Sequence, residues 1–235
     1  MKPALLLIVA AAAGATGCAS NDVSLSIIQM EAISRSTSCV AVAAGGAGTL
    51  GRDRGTLDVS QLGTAGYLAV PVLRNNLMSL SNGAELNAIQ TTGANVKLMN
   101  VGGSALTLPS GQSSFFYAAS AGRLDPGGAA PMFVEALPAA AAKALASNIP
   151  SGGVFTVIAE LKPVGMREND QVVGGPIDFP IDLCEGCLEE TSTCPLPKGS
   201  TPMDPCFPGQ DDPTVCCTDS MTGVVSCGSA APVAM

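Results

Sequence analysis

The sequence predicts a mainly β protein, an antiparallel β-sandwich with one short alanine-rich helix and a disulfide-bonded, loop-rich C-terminal tail. Three observations predict it. Between Val23 and about Leu183, short apolar alternations are separated by Gly, Asn, Asp and Pro, the pattern of strands joined by turns. Only one stretch has helix-forming composition. Beyond Leu183 the chain turns abruptly to Cys, Pro, Gly, Asp and Thr, leaving little apolar surface to bury.

In chain order, residues 1–17 read as a secretory signal. Lys2 is followed by an apolar stretch from Ala4 to about Ala13 and by small residues up to Cys18. That layout marks a targeting segment, and it falls short of the roughly 20 apolar residues a spanning helix needs. Ala15-Thr16-Gly17-Cys18 resembles the lipobox of bacterial lipoproteins, in which the cysteine becomes the N-terminus and carries acyl chains. The resemblance implies lipidation of Cys18, with residues 18–22 as anchor and linker. Two or three acyl chains, at about 0.8 kcal/mol per buried methylene, make such an anchor nearly permanent. Ala19 is unlike the Asp that retains many such proteins in the inner membrane, so the family pattern implies the outer membrane.

Residues 23–183 form the expected sandwich. Val23, Leu25 and Ile27 alternate with serines, Leu57 and Val59 follow Gly55, and Tyr67 to Leu73 forms a further run. Pro71 within that run argues for an edge or a bulge. Val96 and Leu98 precede a Gly102-Gly103 turn, after which Leu106 and Leu108 return. The stretch from Val154 to Ala159 is apolar enough that both faces are expected to be covered. After a turn at Glu168-Asn169-Asp170, Ile177, Phe179, Ile181 and Leu183 alternate with Asp178, Pro180 and Asp182, a half-buried strand. About seven such strands indicate a sandwich. Pro138 to Asn148 is the helix, with Pro138 suited to a first turn and Ala139 to Ala142 favouring helix; its small side chains are expected to bury little.

Residues 184–235 are the tail. The chain has nine cysteines. If Cys18 is lipidated, the even remainder, Cys39, Cys184, Cys187, Cys194, Cys206, Cys216, Cys217 and Cys227, makes four disulfides the default in an oxidising compartment. Eight cysteines allow 105 pairings, so connectivity is not readable. Seven of the eight lie in the tail, so if every thiol pairs, Cys39 ties the tail to the sandwich. For Cys184-x-x-Cys187 a redox pair would want the first sulfur at a helix N-terminus, and Cys184 follows a strand. Zinc would need thiolates kept reduced outside the cytoplasm. A structural disulfide is the reading taken. Cys216-Cys217 is similar to the adjacent pair of knotted inhibitor peptides, but only Cys227 follows it, so two separate bridges are expected.

Composition narrows the function. The chain has no histidine, which removes the usual general base, the usual zinc ligand and every Ser-His or Cys-His nucleophile. There is no Trp, and Tyr67 and Tyr117 are the only tyrosines, so a sugar-stacking platform is missing. The formal net charge of −8 becomes one unit more negative without Lys2, and repels phosphate backbones and anionic headgroups; nucleic acid is not an expected partner. Asp204, Asp211, Asp212 and Asp219 are weak calcium candidates with no EF-hand spacing, and no metal or cofactor is expected. Gly45-Gly46-Ala47-Gly48 lacks a P-loop ending, Glu189-Glu190 says nothing of a catalytic separation, and no Gly-x-Ser-x-Gly elbow occurs.

The run Glu160-Leu161-Lys162-Pro163-Val164-Gly165, the ending Phe179-Pro180-Ile181-Asp182-Leu183-Cys184 before Glu185-Gly186-Cys187, and Pro205-Cys206-Phe207-Pro208-Gly209-Gln210-Asp211-Asp212 before Cys216-Cys217 are together similar to envelope lipoproteins of myxobacterial type. That resemblance implies an immunoglobulin-like sandwich related in shape to late-embryogenesis-abundant proteins. The expectation is a non-enzymatic, lipid-anchored envelope protein with a structural, adhesive or protein-interaction role, its partners the membrane through Cys18 and other envelope proteins. A small-ligand or calcium-binding envelope module is the alternative.

Overall fold

The computed structural model describes residues 24–33, 51–62, 66–80, 85–193, 209–218, 221 and 225–227. The signal, Cys18, Val23, Cys39, the glycine run at 45–48, Cys194, Asp204, Cys206 and Asp219 lie outside the described residues, as does the side chain of Cys227.

Two sheets face each other. In the first, strand β3 (Tyr67–Asn75) is central, with β1 (Leu25–Glu31) on one side and β6 (Ala129–Pro131) and β7 (Val134–Leu137) sharing the other. The second has the order β2 (Gly55–Asp58), β10 (Ile177–Cys184), β8 (Phe155–Arg167), β4 (Ile89–Met99) and β5 (Phe115–Leu124). β9 (Asp170–Val173) pairs with the end of β8 beyond the reach of β10. The β8–β9 hairpin turns at Glu168, in the left-handed region at φ 53°. Between the sheets lie Leu25, Leu73, Val96, Leu98, Val157, Leu161, Phe179, Ile181 and Leu183, all buried. Each large side chain removed from water there stabilises the fold by about 1.5–3 kcal/mol. β10 shows the expected alternation, its odd residues inward and Asp178 exposed.

Several expectations are corrected. β4 pairs with β5 on one side and β8 on the other, and of the returning chain Leu106 N–H reaches Leu98 C=O without founding a strand. The turn at Gly102-Gly103 forms, held by the Asn100 side chain, which accepts from Gly102 N–H and Ser104 N–H. The returning chain then makes a single bridge at Ala105 before Pro109 starts a 3-10 turn, because proline cannot donate to a ladder. Val59 leaves the strand for a 3-10 turn capped by the Asp58 side chain. Only one face of β8 is fully buried, through Val157, Ala159 and Leu161, while Val154 is exposed. Pro71 lies in a strand paired on both sides; it falls where the partner changes from β7 to β6, so its missing N–H meets no continuous ladder. The pairing is not wholly antiparallel, since β2 runs parallel to β10.

The helix forms as α1 (Ala139–Leu145), continuing as a 3-10 turn to Asn148, with Pro138 at its N-cap. Contrary to expectation it buries a face, consisting of Ala139, Ala141, Ala142 and Leu145. Alanine allows that close approach to the sandwich, and Leu145 fills the remaining space.

Within the tail, β11 (Glu189–Thr193) pairs in parallel with β12 (Thr214–Thr218), which pairs antiparallel with β13 (Val225–Cys227). Hydrogen bonds as well as sulfur therefore order the described part of the tail.

Candidate functional site

The tail is locked to the sandwich at the β2 edge by residues 209–211. Asp58 N–H donates to Gly209 C=O at 2.7 Å and Asp211 N–H to Thr56 C=O at 2.9 Å, an antiparallel bridge that occupies the outer side of β2. Gly209 sits at φ 78°, and a Cβ there would lie 2.8 Å from Asp58 O, so only glycine fits. The Gln210 side-chain amide imitates a strand, donating to Leu68 C=O at 2.7 Å and accepting from Leu68 N–H at 2.9 Å. Asp211, in the left-handed region at φ 65°, accepts from Thr56 N–H at 2.8 Å and from the buried Tyr67 hydroxyl at 2.9 and 3.1 Å, with Arg52 at 3.4 Å. Burial, and next the charge of Asp211, push the Tyr67 hydroxyl far above its ordinary pKa, so it stays a donor. The Tyr67 ring lies against Gly55, where a Cβ would stand 2.2 Å from its hydroxyl oxygen.

These contacts correct the calcium candidacy of Asp211. Its oxygens are committed to Thr56, Tyr67 and Arg52, and Asp212 lies 4.0 Å from Arg52; Asp204 and Asp219 are outside the described residues.

Cys184 and Cys187 are joined by a disulfide, with Cys184 buried at the end of β10 and Cys187 exposed. Fully buried Asp58 holds the intervening loop, accepting from Gly186 N–H and Leu188 N–H, each at 2.9 Å, while also accepting from Ser60 N–H and Oγ–H. Asp58, Cys184 and Cys187 form a cluster of metal-ligand residue types. Its chemistry does not fit a metal, because disulfide sulfurs carry no thiolate charge and the carboxylate is already filled with N–H donors. Cys216 and Cys217 are also in disulfides. The Ser60 hydroxyl, whose one proton is shared between Asp58 and Glu189, lies 2.7 Å from Glu189 Oε1 and joins the loop at Ser60 to β11.

The opposite edge of the six-stranded sheet is different. Among the described residues β5 pairs on one side only, with β4. Leu98 N–H donates to Ser114 C=O, so by alternation Phe116 and Ala118 turn their backbone polar groups toward β4 while Phe115, Tyr117 and Ala119 turn theirs outward. The outward groups of Phe115 are taken by the Ser113 hydroxyl. Those of Tyr117 and Ala119 have no partner among the described residues. A bulge follows, two residues of β5 standing against Thr92 alone. Phe115 and Tyr117 are 58% and 48% exposed, and from Phe115 to Gly122 the strand carries no charge. Among the described residues this edge lacks the lysines, prolines and covering loops that usually prevent strand addition.

Sequence reasoning missed Asp58, Tyr67, Gln210 and β5. The isolated Gly55 is a signal of close approach by another group, and a buried tyrosine needs a hydroxyl partner, so the Gly55–Tyr67 contact had traces in the sequence. No family model, curated protein or solved structure matches the chain.

Proposed function

We propose that the chain is a non-enzymatic, lipid-anchored protein of the outer membrane, of the lipoprotein type that its first residues and C-terminal motifs resemble, and that it engages another envelope protein by strand addition at β5. The observation that carries the interaction reading is the contrast between the two edges of one sheet. The β2 edge is closed by the tail through the pair of backbone bonds to Gly209 and Asp211, whereas β5 offers backbone groups without a partner among the described residues, beside two exposed aromatic rings. Strand addition draws affinity from such main-chain groups and specificity from alternate side chains. The anchor reading rests on Ala15-Thr16-Gly17-Cys18.

The test is photo-crosslinking in the native envelope. A photoreactive side chain at Tyr117 should give one discrete adduct with another envelope protein, and Ala119→Lys should abolish it while leaving unfolding in urea unchanged within about 0.5 kcal/mol. An adduct that survives Ala119→Lys in full, or no adduct in intact envelopes, would contradict the edge as the contact.

A further inference from the structure

The connection between β3 and β4 exposes three large apolar side chains among its described residues. Met78 is 85% exposed, Leu80 46% and Leu86 49%. These side chains are not on a slack segment. Glu85 accepts from Ser79 Oγ–H at 2.7 Å, Leu80 N–H at 3.2 Å and Asn87 N–H at 3.0 Å, and the Asn87 side-chain amide donates to Met78 C=O at 2.8 Å. The base is fixed by buried Asn75, whose amide donates to Asn87 C=O and Leu124 C=O and accepts from Leu77 N–H. The one carboxylate of this connection is thus engaged within the loop itself, and the large apolar side chains are left exposed.

The position of this loop in the fold supplies its partner. Asn76 N–H donates to Ser24 C=O at 2.9 Å, and the Asn76 side chain donates to Ser26 Oγ at 3.0 Å. Leu25 pairs with Asn75. The loop therefore starts beside the point where the chain enters the sandwich from its N-terminal segment. Cys18 precedes Ser24 by six residues, and a chain of that length spans at most about 20 Å. With acyl chains on Cys18, this end of the sandwich cannot stand far from the lipid headgroups.

We propose that Met78, Leu80 and Leu86 form a second membrane contact, entering the interfacial region of the bilayer that holds the acyl chains. The proposal rests on the anchor reading above. A lipid surface fits this patch because the tether brings it to this end, and because apolar side chains presented at a headgroup boundary bury there without a specific pocket. The second contact fixes the orientation of the sandwich, with the chain reversal at Val101, at the far end of β4, pointing away from the membrane.

The chain contains no tryptophan, so one introduced indole is a clean reporter. Leu80→Trp and, as control, Val101→Trp at a site 77% exposed are made in the full-length chain, extracted from membranes and placed in zwitterionic phosphatidylcholine vesicles with brominated acyl chains. The indole at position 80 should shift to the blue and be quenched about twofold or more at interfacial depth, while that at position 101 should do neither. An acylated, vesicle-bound chain whose position-80 indole is unquenched, or quenched no more than that at position 101, overturns the loop proposal alone. A chain whose mass shows no acyl group overturns the anchor reading, and the loop proposal falls with it.

Discussion

Asp211→Ala should loosen the tail from the sandwich, at a cost that follows from what Asp211 serves. Its carboxylate accepts from the half-buried Thr56 N–H, the buried Tyr67 O–H and, at 3.4 Å, the Gln210 amide, and faces Arg52. Removing it orphans the buried Tyr67 hydroxyl and the half-buried Thr56 N–H, each costing about 1–3 kcal/mol. The expected loss is about 3 kcal/mol. Tyr67→Phe removes the hydroxyl's bond and leaves Asp211 with Thr56, Gln210 and Arg52, so about 1.5–2 kcal/mol is expected. In the double variant no hydroxyl is left to orphan, so it should be no less stable than Asp211→Ala, a coupling of about 1.5–2 kcal/mol. Urea unfolding with disulfides intact measures all three, and the slope with denaturant should be unchanged. A loss below about 0.5 kcal/mol for Asp211→Ala, or additive single effects, would refute the view that this carboxylate docks the tail.

Three further outcomes follow from the same structure. Cys184→Ser, which opens a disulfide spanning a sequence separation of 3, should cost only about 2 kcal/mol, because so short a loop constrains the unfolded chain little; calorimetry under oxidising conditions measures it. Tyr67 has its hydroxyl pKa raised by folding, so its contribution is complete below the unfolded value of about 10 and is lost as pH rises beyond it. The urea midpoint should therefore fall between about pH 9 and 11, and Tyr67→Phe should remove that component. Glu31 is buried with neither carboxylate oxygen hydrogen-bonded among the described residues, and desolvation raises its pKa. Its protonated form is favoured by folding, so stability present below the ordinary carboxyl value is lost as pH rises through the folded value. Glu31→Gln should stabilise by about 1 kcal/mol at neutral pH and by nothing once the wild-type carboxyl is protonated; parallel urea titrations at the two pH values decide it.

What the sequence revealed was local, and what it hid was not. Ile177 to Leu183 alternate so regularly with Asp178, Pro180 and Asp182 that one buried face was legible, and the Ala-rich run from Pro138 marked the helix. Cys184 and Cys187 were legible as a bridge because neither redox nor zinc chemistry suited their setting. β5 was hidden because Ala118, Ala119, Ser120 and Ala121 give no contrast between faces and a bulge breaks the period. Asp58 and Asp211 look in sequence like solvated loop acids. Their burial depends on N–H groups 128 to 155 residues away along the chain, a separation that no local pattern encodes. Asp182 likewise stands on the outer face yet is covered, by Arg54 at 2.7 Å and by the Thr156 hydroxyl at 2.6 Å.

Attachment through Cys18 is the claim on which both the envelope role and the membrane-facing loop depend, and intact mass measurement of the chain extracted from native membranes tests it most directly. The account predicts a polypeptide that begins at Cys18 and exceeds its sequence mass by two or three acyl chains and their glyceryl link, with Cys18→Ser leaving the membrane fraction. A chain that begins elsewhere, or begins at Cys18 with no added mass, would contradict it.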